Sequence, residues 1–153
     1  MKKDVLVLGL GNPLMSDEGI GSYLIEKFIF QADKYPLAEF LDAGTGGMSI
    51  LHLIADRRKV ILIDCAYMGT RAGTIRKFGL DEVKSVKKLA HYSLHEVDIL
   101  KVLDLSMQLG QCPHEVTIFG IEPESVNQGQ CLSETLAARI PDYVTDISRE
   151  LAF

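Results

Sequence analysis

The stretch DVLVLGLGNPLMSDEGIG, residues 4–21, decides the fold. Its first part, DVLVLGL at 4–10, is a continuous run of Val and Leu without polar alternation, which predicts a strand covered on both faces. Gly9 and Gly11 close the strand, and a helix is predicted from Asp17 to Phe30. A fully buried strand, a glycine turn and a helix make the opening of a βαβ unit.

The rest of the chain repeats that alternation. Strands are predicted at 38–44 (AEFLDAG), 59–66 (KVILIDCA), 73–79 (GTIRKFG) and 115–122 (EVTIFGIE). Helices are predicted at 48–56, at 93–110 with apolar residues at Leu94, Val97, Leu100, Leu103 and Met107, and at 132–151 with a kink or split at Pro141. No linker or repeat divides the 153 residues. The expected fold is therefore α/β, a single-domain three-layer α/β/α sandwich with a twisted, mostly parallel sheet. In such sheets ligands sit outside the carboxyl ends of the strands.

Composition removes several function classes. A net charge of −5, with Lys and Arg scattered in ones and twos, argues against a nucleic-acid partner. Cys65, Cys112 and Cys131 show no CxxC spacing, so neither a disulfide framework nor a thiolate zinc site is expected. Asp4 interrupts the basic flank of a short apolar run, unlike a signal peptide, and no apolar segment approaches the ~18 to 20 residues of a membrane span. No membrane association is expected, and the cytoplasm is the expected location.

The first turn is not a dinucleotide site. Leu14 stands where the third glycine of that fingerprint belongs, Pro13 removes a backbone donor, and Asp17 with Glu18 would set negative charge beside a phosphate. Acids in the first turn of a helix favour its dipole, which accounts for one of them. Acids recur, however, at the same structural place: Asp42 ends the second strand and Asp64 the third. A carboxylate after ILI at the end of a buried strand costs desolvation unless it is paired, ligated or at an open rim. Asp42, before GTGG, also suits a turn that orders that loop.

Histidines supply a further ligand type. Ser93 and Glu96 form an S-x-x-E capping box, which places His95 in the first turn of a helix, where the dipole favours the neutral imidazole that a metal needs. His91 falls before the cap. Carboxylates and an imidazole at one sheet rim suit a divalent ion such as zinc or nickel, and a capping or packing role remains the alternative for each residue taken singly.

GNPLMSDEGIG, the strand-end Asp in ILIDCAYMG, SLHEVDIL and the closing GIEPESVNQGQCLSE together resemble the hydrogenase maturation endopeptidases, and these motifs span residues 11 to 134. The resemblance implies an enzyme that cleaves a C-terminal peptide from the precursor of a nickel-iron hydrogenase large subunit, usually grouped with aspartic peptidases. It implies that Glu18, Asp64 and His95 are both the metal-contacting and the catalytic residues, with Asp17 as a neighbour capping the helix. The metal so contacted is nickel carried by the substrate, with zinc or cadmium able to occupy the site in vitro. Asp42, Gly44, Thr45 and Gly46 would hold substrate, although Ala43 stands where relatives usually carry glycine. No Asp-Thr/Ser-Gly pair of the pepsin kind is present, so metal-assisted hydrolysis is the expected chemistry. The alternatives are a metal-dependent hydrolase of another small substrate and a nickel-sensing maturation chaperone that docks without cutting.

Overall fold

The computed structural model describes residues 2–45, 47–82 and 94–151, with the side chains of 94–98 left out. Its strands are β1 (Val5–Gly9), β2 (Ala38–Asp42), β3 (Lys59–Cys65), β4 (Ile75–Gly79) and β5 (Glu115–Ile121). They form one sheet in the order β2-β1-β3-β5-β4, parallel throughout except for β4, which pairs antiparallel with β5 at the edge. The helices are α1 (Ile20–Phe30), α2 (Ser49–Ile54), α3 (Leu94–Gln108), α4 (Glu134–Ala138) and α5 (Ile140–Glu150).

The unbroken apolar strands are explained by cover on both faces. Alternate residues of β1 point to opposite sides. Val5 and Val7 join Ile20, Leu24 and Phe28 of α1 and Tyr143 and Ile147 of α5 in one cluster. Leu6 and Leu8 join Ile50 and Ile54 of α2 and Val102 and Leu103 of α3 in the other. Every residue of β1 and β3 is buried. This is the expected sandwich.

Two elements differ in detail from the sequence reading. The predicted helix from Asp17 begins as a 3-10 turn, Ser16–Gly19, and becomes α-helical only at Ile20. The last helix is split, one of the two expected outcomes, but the break falls at Arg139, with Pro141 in the first turn of α5. Proline lacks the N–H a continuous helix would need and is tolerated in a first turn, so the break falls just upstream of it. Ser133 starts α4 by accepting the Leu136 N–H at 3.3 Å.

The strand order places the functional rim. The chain leaves β1 toward β2 on one side and later enters β3 on the other, so the direction of winding reverses between β1 and β3. The crevice of a doubly wound sheet lies at the carboxyl ends of the two strands that flank this reversal.

Candidate active site

The exit of β1 is tightly held. The Leu10 N–H donates to Ile63 O of β3 at 2.9 Å, the Gly11 N–H to Gly44 O at 2.7 Å and the Ala43 N–H to Gly9 O at 2.8 Å. Gly11 has φ +118°, and a Cβ there would meet the Glu18 carbonyl oxygen at 1.9 Å, so only glycine lets the turn fold back on itself. The turn then delivers Asp17 and Glu18 side by side beneath the β1/β3 crevice. Asp17 is fully buried, whereas Glu18 is half-buried.

Asp17 does not cap the helix that follows it. The turn and α1 both lack a side-chain cap. Its carboxylate instead accepts three backbone N–H bonds from the distant loop that follows β5: Glu124 at 2.9 Å and Ser125 at 3.0 Å on Oδ2, and Ser133 at 2.7 Å on Oδ1. Three donors offset the desolvation of a fully buried carboxylate. The same two segments are joined by the Ser16 N–H to Gly129 O at 2.8 Å, the Ser16 hydroxyl to Asn127 O at 2.6 Å and the Gly129 N–H to Leu14 O at 2.8 Å. The GIEPESVNQG segment is thus sewn to the first loop.

Asp64 lies one strand over. It is 2% exposed, near the end of β3, and its Oδ1 accepts the Cys65 N–H at 2.8 Å. The chain leaving β3 is fixed by Glu122, just past the end of β5, whose Oε1 accepts from the Met68 N–H at 2.7 Å, the Thr70 N–H at 3.0 Å and the Thr70 hydroxyl at 2.9 Å. Within that clamped loop Tyr67 is 41% exposed. Burial first, then the neighbouring Cys65, Glu18 and Glu122, push the Tyr67 phenol up, so it keeps its proton and can donate. β1 and β3 pair in parallel with Gly9 opposite Ile63, so their exits lie on one rim.

Asp42 ends β2 and is exposed. Its Oδ1 accepts the Gly44 N–H at 2.9 Å, an Asx turn that orders the loop as expected. Ala43 does not have a positive φ, so alanine is unstrained in this loop. Gly44 reaches back to Gly11, and Thr45 is exposed. Gly46 lies outside the described residues. The α3 backbone begins at Leu94, which puts His95 in the first turn as expected. The His95 side chain, with His91 and the Ser93/Glu96 capping box, lies outside the described residues. Among the described side chains no group of three His, Cys, Asp or Glu is arranged to hold a metal ion.

The structure therefore brings Glu18 and Asp64 to adjacent strand exits, with Asp42 on the next. Sequence reasoning missed the clamping roles of Asp17 and Glu122. An acid directly before Pro123 and directly after a buried strand was the one available signal for Glu122, of the same kind that singled out Asp64.

The fold agrees with that of known proteins. The hydrogenase maturation protease family model matches residues 22–150. The chain belongs to the hydrogenase maturation protease family. It is 30% identical over 151 residues to the hydrogenase expression/formation protein HupD of Rhodobacter capsulatus, covering 96% of this chain and 70% of that one. It is 32% identical over 139 residues to the hydrogenase 2 maturation protease of Escherichia coli K12, covering 89% and 83%. Among solved structures, the hydrogenase maturating endopeptidase HybD from Escherichia coli superposes with a TM-score of 0.85 at 29% identity, over 99% of this chain and 92% of that one. Membership of this family makes the chain a peptidase that processes hydrogenase precursors.

Proposed function

We propose that this peptidase removes a C-terminal peptide from the nickel-loaded precursor of a nickel-iron hydrogenase large subunit, in the cytoplasm, and that the nickel belongs to the substrate. The observation that carries this reading is the pair of carboxylates, Glu18 after β1 and Asp64 at the end of β3, flanking the crevice where the winding reverses. Two acids at a rim with no basic neighbour in the motif suit a cationic client. His95, in the first turn of α3, would complete the set as a neutral imidazole.

A cation beside the scissile carbonyl polarises it and acidifies an attacking water. The chain's own groups do the rest. Glu18, Asp64 and His95 orient the loaded segment, and a rim carboxylate takes the water proton as the new C–O bond forms. That proton passes to the leaving amine as the C–N bond breaks. The Asx turn at Asp42 and the loop through Gly44, Thr45 and Gly46 would flank the extended peptide on the β2 side.

The test is incubation of the purified protein with large-subunit precursor prepared with and without nickel, the released peptide being identified by mass spectrometry. Cleavage is expected only of the nickel-loaded form. Equal cleavage of the nickel-free precursor would overturn the substrate-borne metal. A stable complex with no cleavage of either form would overturn C-terminal processing by this chain.

A further inference from the structure

We propose that Asp17 is a positioning residue for Glu18, acting by locking the turn that carries it to the loop after β5; the catalytic consequence rests on the function proposed above. The turn Ser16–Gly19 has few bonds of its own, among them the Glu18 N–H to Met15 O at 3.1 Å and the Ile20 N–H to Asp17 O. It is four residues long, has no side-chain cap at its start, and begins at Ser16 with φ +52°, a left-handed conformation unfavourable for a residue other than glycine. Such a conformation persists only where surrounding contacts over-determine it.

Those contacts come from one place. Asp17 gathers the N–H groups of Glu124, Ser125 and Ser133, its own N–H donates to Ser125 O at 3.1 Å, and Ser16 is bonded through its N–H and hydroxyl to Gly129 and Asn127. Glu18 is next in sequence, with its backbone against Gly11. The backbone from which the Glu18 side chain starts is therefore held by the buried carboxylate beside it. Asp17 needs no contact with substrate to matter, because a displacement of about 1 Å at a reacting group costs on the order of 100-fold in rate.

Asp17→Asn tests this, since it keeps the shape but turns one acceptor into an N–H₂ group facing backbone donors. With the nickel-loaded precursor, kcat is expected to fall about 100-fold while KM stays within roughly threefold. Amide hydrogen exchange at Asp17, Glu18, Ser125 and Ser133 is expected to accelerate together. Arg57→Met serves as the control: Arg57 bonds Glu39, Lys3 O and Leu53 O at the opposite end of the sheet, so this variant should melt lower yet keep kcat. If Asp17→Asn does not fold, Ser16→Ala removes only the bond to Asn127 and should lower kcat by a smaller factor at unchanged KM.

Wild-type kcat in the folded Asp17 variant, or in Ser16→Ala where that variant stands in for it, would overturn the proposal. So would turn amides that exchange at the wild-type rate, or a kcat loss in Arg57→Met equal to that of Asp17→Asn. Failure of the wild-type protein to process any precursor would instead overturn the proposed function, and the exchange measurement would still judge the lock.

Discussion

Asp64 and Asp17 are both buried carboxylates, yet their surroundings assign them opposite work. Asp17 spends its acceptors on three backbone donors of one loop, so its charge is used inside the protein. Asp64 is the last residue but one of an all-buried strand at the rim and accepts the N–H of its own neighbour, Cys65. Asn at position 64 can still accept that bond, so Asp64→Asn should leave the fold intact while removing the negative charge. We expect precursor cleavage to slow by about 100- to 10,000-fold, the range for loss of a general base or a charge-stabilising group, with an unchanged circular dichroism spectrum. Cleavage at the wild-type rate would reduce Asp64 to a packing residue. Asp64 drew notice in the sequence because a charge at the end of an apolar strand is anomalous by itself, whereas Glu18 was set apart from Asp17 only by the resemblance to the hydrogenase maturation endopeptidases. The role of Asp17 itself could not be read, since its partners lie 107, 108 and 116 residues away.

At the scale of elements, the site depends on how closely α1 approaches the sheet. Gly21, in the first turn of α1, faces two strands at once: a Cβ there would sit 2.5 Å from Leu10 O and 2.6 Å from Ile63 O. Both are backbone atoms, which cannot swing aside as a flexible side chain would. In an isolated helix Gly→Ala gains up to about 1 kcal/mol. Here the overlap decides the sign, and Gly21→Ala should destabilise by roughly 2–3 kcal/mol, the scale of overpacking in a dense core. Urea unfolding with a lowered midpoint and unchanged slope would show it. Cleavage should fall as well, because pushing α1 outward draws the turn with Glu18 away from β3. A variant as stable as the wild type would mean that the strand exits are looser than this packing implies. Element identity was readable from the apolar runs; the 3-10 entry to α1 was not, since it is imposed by the bonds of Ser16 and Asp17 to a remote loop.

Across the whole molecule, one carboxylate joins the antiparallel edge strand, the start of β3 and the last helix. Glu150, near the end of α5, accepts from Lys59 at the start of β3 at 2.8 Å and from Lys77 on β4 at 2.6 Å, while Lys59 also lies 3.4 Å from Glu115 of β5. Nothing in the local sequence announces this. Lys59 looks like a strand-flanking surface lysine, and only the docking of α5 leaves it buried and in need of a partner. Burial works against the charge on Glu150, but the bonds from Lys59 and Lys77 outweigh it and hold the carboxyl below its ordinary value of 4.5. A group whose folded pKa is depressed stabilises fully above its unfolded value and loses that contribution as the pH falls through the folded one. Glu150→Gln should therefore cost about 1–3 kcal/mol at pH 7, since Gln accepts weakly and removes the negative charge that faces Lys59 and Lys77. The gap between wild type and variant should narrow as the pH drops below 4.5, where the unfolded chain takes up the proton first. Denaturant titrations at pH 7 and in steps through the acid range measure it directly. A gap that is constant with pH would mean that Glu150 acts through packing and hydrogen bonding alone and that its charge contributes nothing to holding β3, β4 and α5 together.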